Sequence, residues 1–94
     1  MTDPLVLGLD LDGAGDKAAF MERCAAVLAL PDWFGRNWDA LADCLRDPGV
    51  LPGAGRRLVL VVTGWQGFAA RCPEDWATAR AVFAEAPAVE LRLA

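Results

Sequence analysis

Leu58-Val59-Leu60-Val61-Val62 constrains this chain more than any other segment. An unbroken apolar run rich in β-branched residues reads as a strand covered on both faces, and strands of that kind pair in parallel. Upstream, Leu5-Val6-Leu7-Gly8-Leu9 reads as a second buried strand, closed by the turn signal Asp12-Gly13. Downstream, Val89-Glu90-Leu91-Arg92-Leu93 alternates strictly, as expected of an edge strand with one wet face.

Helical signals fill the intervals. Asp16 is placed to cap a helix expected to run to about Ala29, with Phe20, Cys24, Val27 and Leu28 at helical spacing and Pro31 as its stop. Asn37 is a good cap for a second helix to about Leu45, which Pro48-Gly49 ends. Residues 48–55 hold two Pro and three Gly and read as a loop. Trp65 and Phe68 open a short helical or irregular piece. Pro73-Glu74-Asp75 then starts a helix carrying Trp76, Ala79 and Phe83 on one face and ending before Pro87. The order β-α-α-β-α-β predicts an α/β fold: a three-stranded parallel sheet packed with helices through right-handed crossovers, as one domain over residues 1–94.

A chain of 94 residues is a small domain. It buries roughly 60–65% of the surface its unfolded form exposes. Alanine supplies much of its apolar share, so four Trp and four Phe must fill most of the large core volume. No run approaches the ~18 apolar residues of a membrane span. Met1-Thr2-Asp3-Pro4 lacks the basic start and apolar stretch of a secretory signal, so a cytoplasmic location is expected. Cys24, Cys44 and Cys72 are odd in number, match no zinc spacing and sit among apolar neighbours. They read as free thiols packed as small hydrophobes, and neither a metal nor a cofactor is expected.

Charge is unevenly distributed. Residues 1–50 hold nine acids against four bases, and residues 51–94 four against five, giving −5 and +1. Direct nucleic-acid binding needs a cationic footprint that this chain lacks, whereas a cationic protein partner suits it. The chain has no His, so no Ser-His or Cys-His pair is available for nucleophilic catalysis. One motif keeps an enzyme reading open. Leu9-Asp10-Leu11-Asp12-Gly13 resembles the Asp-x-Asp motif of haloacid-dehalogenase-type phosphatases, in which one carboxylate is a nucleophile and the other an acid/base. The downstream Lys and the acidic pair for Mg²⁺ that such an enzyme uses have no counterparts here.

The second helix carries the stronger signal. Asp39 and Asp43 stand at i and i+4, so both point to one side, with Ala42 between them and Arg46 at the end; Leu41, Cys44 and Leu45 form the opposite stripe and Trp38 the border. Such a ridge is either a solvated face neutralised by Arg36 and Arg46, or an interface. The preceding loop, Asp32-Trp33-Phe34-Gly35-Arg36, tilts the choice, because a short loop cannot easily bury both aromatics. An exposed Trp beside carboxylates is the composition of an interface hot spot.

Residues 28–45, Leu28-Ala29-Leu30-Pro31-Asp32-Trp33-Phe34-Gly35-Arg36-Asn37-Trp38-Asp39-Ala40-Leu41-Ala42-Asp43-Cys44-Leu45, closely resemble the signature of the barstar family. Trp65-x-x-Phe68 and Val82-Phe83-Ala84-Glu85-Ala86 resemble later parts of the same pattern. The resemblance implies a cytoplasmic inhibitor, not an enzyme, that plugs the active site of a secreted or toxin ribonuclease of barnase-like or guanyl-specific type as a monomer in a 1:1 complex. By the resemblance, Asp43 would stand in for an RNA phosphate and Asp39 would meet cationic groups nearby. Glu85 would reach across from the last helix, Trp33 would stack on the enzyme, Gly35 would permit close backbone approach, and Asn37 would fix the helix start. Three departures stand out: Ala42 occupies a place where the family has Trp, Arg46 puts a cation where a neutral residue is expected, and the loop from Asp47 to Arg57 is longer and richer in Pro and Gly. A binding module for a cationic protein other than a nuclease is the alternative.

Overall fold

The structure is a computed structural model in which residues 3–94 are described; Met1 and Thr2, the first half of the segment read above for a secretory signal, lie outside them. The chain runs β1 (Leu5–Asp10), α1 (Lys17–Val27), α2 (Trp38–Leu45), β2 (Leu58–Thr63), α3 (Trp65–Arg71), α4 (Pro73–Ala84) and β3 (Val89–Leu93). All three strands pair in parallel in the order β1-β2-β3, so the long apolar run is the central strand.

The order is β-α-α-β-α-α-β, one helix more than the sequence pattern resolved. Trp65 to Arg71 is a helix of its own, entered through Gly64 in the left-handed region (φ 66°) and joined to α4 by Cys72 alone, with Pro73 at the first position of the next helix. The left-handed turn lets α3 fold back tightly at the end of β2. A side chain at Gly64 would place its Cβ 2.5 Å from the Asp12 amide nitrogen, so the turns after β1 and β2 are pressed together at this point.

One strand expectation needs correction. β1 is not fully buried: it is an edge strand on which Leu9 is covered and Val6 is 58% exposed. β2, by contrast, is covered on both faces along most of its length, as expected. Leu58, Leu60 and Val62 join the core formed with Leu9, Phe20, Phe68 and Phe83, whereas Val59 and Val61 point to the opposite face and lie outside that core. Val59 is nevertheless buried, lying in register between Val6 and Glu90, whose carboxylate accepts from both Arg57 and Arg92.

α1 stops at Val27 because Ala29 turns left-handed (φ 51°). The Leu30 amide then donates to Ala25 O and the Ala29 amide to Ala26 O, which closes the helix well before Pro31. All four Phe are buried, with Phe20 stacked on Phe68 at 5.3 Å. The Trp residues divide: Trp76 is buried, Trp38 and Trp65 are half-buried and Trp33 is exposed. Each large side chain taken fully out of water contributes about 1.5–3 kcal/mol, so the Phe cluster outweighs any single polar contact in the fold.

Candidate functional site

The turn after α1 delivers a loop in which two adjacent aromatics part company. Phe34 is only 3% exposed and anchors the loop in the core, while Trp33 is 71% exposed. The anchor is reinforced by Arg36, which donates from Nη1 to Phe34 O at 2.9 Å and places its guanidinium 5.8 Å from the Phe34 ring. Arg36 also ion-pairs through Nε with Glu22 on α1; that hydrogen bond, and then the carboxylate's charge, hold the guanidinium above its ordinary range. Neutralisation of Asp39 by Arg36 was one reading of the sequence, but the partner it takes is Glu22. Residues fourteen apart on different elements leave no periodic trace of such a pair.

Asn37 starts α2. Its Oδ1 accepts from the Ala40 amide at 2.8 Å while Nδ2 donates to Gly35 O at 3.3 Å. A Cβ at Gly35 would come within 3.2 Å of Asn37 Nδ2, so the small residue gives the capping side chain its room. Trp38 lies half-buried against Phe20, ring centroids 5.5 Å apart, with Lys17 Nζ 5.8 Å from the Trp38 ring. Trp38 therefore braces the helix and has less free surface than Trp33.

Beyond the cap, Leu41, Cys44 and Leu45 are buried, and Asp39 and Asp43 are exposed on the other side. Asp39 sits in the first turn, where the helix dipole favours a carboxylate. Arg46 Nη2 donates to Asp43 Oδ1 at 2.6 Å, so half of the expected neutralisation is present. The acidic face is felt inside the helix: burial first, then the charges of Asp43 and Asp47, push the Cys44 thiol up.

Glu85 reaches the same region from α4, whose C-terminus it caps while remaining exposed. Ala42 and Arg46 of α2 line a small cleft with Val82, Glu85 and Ala86. The structure thus gathers Ala42, Asp43, Arg46 and Glu85 around the α2–α4 seam, with Asp39 a turn away and Trp33 in the loop that precedes the cap. The sequence presents Val82 only as part of the segment 82–86 and not as a site residue; its place three residues before Glu85 is the available signal.

The Asp10–Asp12 segment has another arrangement. The Asp12 amide donates to Asp10 Oδ1 at 2.9 Å, and Arg23 Nη1 donates to the carbonyls of Asp10 (2.7 Å) and Asp12 (3.1 Å). The Asp10 carboxylate is thereby engaged in a turn. Among the described residues no group of three or more His, Cys, Asp or Glu side chains could hold a metal ion, and no helix is long and apolar enough to cross a membrane.

The family model described as Barstar (barnase inhibitor) matches residues 5–91, nearly the whole chain. No curated protein matches the chain.

Proposed function

The chain belongs to the barstar family, and from that premise we propose that it is a stoichiometric protein inhibitor of a basic microbial ribonuclease. Members of that family are inhibitors, not enzymes. The observation that carries the reading is the exposed row of Trp33, Asp39 and Asp43 on a loop and helix locked from behind by Phe34, Asn37 and Trp38. A nuclease must hold phosphate with clustered cations. A rigid row of carboxylates meets that need without ordering flexible side chains on binding.

In this reading Asp43 enters the cationic centre, Asp39 meets the cations beside it, and Glu85 contributes from α4. Trp33 stacks on the enzyme and supplies the apolar anchor. Gly35 and Asn37 hold the loop-to-helix geometry. We place the inhibitor in the cytoplasm as a single-domain monomer forming a 1:1 complex, either with a nuclease destined for export or with a toxin nuclease for which it is the immunity protein. One observation favours a second reading, a cationic partner that is not a nuclease: Arg46 occupies Asp43, which weakens a phosphate mimic.

The test is titration of the protein into a panel of small secreted bacterial ribonucleases while RNA cleavage is followed. Loss of activity at one equivalent, abolished by Asp43→Ala with folding intact, is the expected result. If no member of the panel is inhibited, the second reading takes over.

A further inference from the structure

We propose that the free edge of β3, with the groove between β3 and α4, binds an extended acidic peptide segment of another protein, adding it to the sheet as a fourth strand. The backbone supplies the first argument. The Leu58 amide donates to Ala88 O at 2.8 Å, and the Ala94 amide donates to Val62 O at 2.9 Å. Both backbone groups of a residue in a parallel ladder point to the same side, and sides alternate along the strand. Ala88, Glu90, Arg92 and Ala94 therefore face β2, and Val89, Leu91 and Leu93 direct their N–H and C=O groups away from the sheet. No loop, cap or side-chain hydrogen bond among the described residues reaches those three. An edge that is not blunted in this way is a template for strand addition.

The side chains supply the second argument. Beside that edge lies an open groove of about 520 Å³, with Phe83, Leu91 and Leu93 as its apolar surface and Arg57, Arg80 and Glu90 as its charged groups. That volume is within the ordinary range for ligand sites, roughly 300–1,000 Å³. Glu90 is already bound by Arg57 and Arg92, and Arg80 has no ion pair among the described residues. Arg57 and Arg80 against the single carboxylate Glu90 leave the groove lining with one net positive charge, on a chain whose net charge is −4. That inversion selects an acidic occupant.

β1, the other sheet edge, lacks these features. Arg23 covers its Asp10 carbonyl, and Asp3, Asp10 and Asp12 make its surroundings acidic. The β3 groove meets the cleft of the nuclease-binding face proposed above only at Ala86, which lines both. Val82 and Glu85 of the α4 region line the cleft toward α2, whereas Arg80, Phe83 and Ala84 line the groove. The five-residue length of β3 fits a peptide of about five or six residues whose alternate side chains enter the groove.

The probe is an N-acetylated hexapeptide of alternating valine and glutamate, titrated into the full chain and followed by amide chemical shifts and hydrogen exchange. Saturable binding is expected, with slowed exchange at Val89, Leu91 and Leu93. Arg80→Glu, at an exposed position, should weaken binding at least tenfold and leave ribonuclease inhibition unchanged. A peptide N-methylated at alternate positions should fail to bind. The proposal is overturned by absence of saturable binding, by equal binding of the lysine-for-glutamate peptide, or by shifts confined to the Trp33 and Asp43 region. Protection of the same three amides without peptide, rising with protein concentration, would assign the edge to a second copy and overturn it as well.

Discussion

Arg46 Nη2 donates to Asp43 Oδ1 across one turn of α2, at 2.6 Å, with the two side chains 59% and 74% exposed. The carboxylate proposed above to mimic a phosphate is therefore held by a cation at the end of its own helix. An exposed pair of this kind stabilises the fold by about 0–1 kcal/mol, so its main consequence lies in binding. Arg46→Ala should change folding stability by less than about 0.5 kcal/mol while tightening association with a cationic nuclease roughly three- to tenfold. Stopped-flow association at low and physiological salt would measure this. Unchanged or slower association would place Asp43 outside the contact.

Asp43→Ala should cost about 3 kcal/mol of binding, more than a hundredfold in Kd, because it leaves the partner's cation buried and unpaired. Asp39→Ala should cost less. Calorimetric titration distinguishes the two, and equal small losses would overturn the assignment of roles.

Gly64→Ala is expected to be among the most damaging single substitutions. It combines a left-handed backbone (φ 66°) with a Cβ only 2.5 Å from the Asp12 amide nitrogen, so backbone must move. A loss of more than about 2 kcal/mol is predicted, read as a lower denaturant midpoint. The reverse logic applies at Ala29, where an alanine holds φ 51° at the end of α1. Ala29→Gly should stabilise the protein by about 0.5–1 kcal/mol.

Asn37→Ala should destabilise by about 1 kcal/mol through loss of the hydrogen bond to the Ala40 amide, and Asn37→Asp should recover most of it. Thermal melts of the two variants suffice.

Two pH effects have opposite signs. Hydrogen bonds from Arg57 and then Arg92 hold the Glu90 carboxyl below its ordinary value of 4.5, so its contribution is present above that value and is lost as pH falls through the folded-state value. Glu90→Gln should flatten the acid limb of the stability profile. Burial pushes the Cys24 thiol up to about 12 from 9.0, so the folded state keeps a proton that the unfolded state releases. Stability should fall as pH rises between those values, by about 1.4 kcal/mol per pH unit from this thiol, and Cys24→Ala should remove that slope. Thiol reagents at pH 8 should label half-buried Cys72 ahead of Cys24 and Cys44.

The sequence by itself determined the elements whose cause is local. Asp16 and Asn37 cap their helices through their own side chains, Pro73 opens α4 by its fixed φ, and the Leu58–Val62 run makes a strand because no arrangement of it is polar. Asp39 and Asp43 share a helix side by periodicity alone. Tertiary structure decided whatever depends on contacts between distant segments. Which of Trp33 and Phe34 faces water follows from the core volume left beneath the loop. Arg57, one residue before β2, meets Glu90 of β3 only once the two strands pair. Arg36 turns to Glu22, and Trp65 to Arg71 forms a helix on a left-handed glycine, for the same reason: packing energies act between residues close in space, and sequence separation carries no record of them.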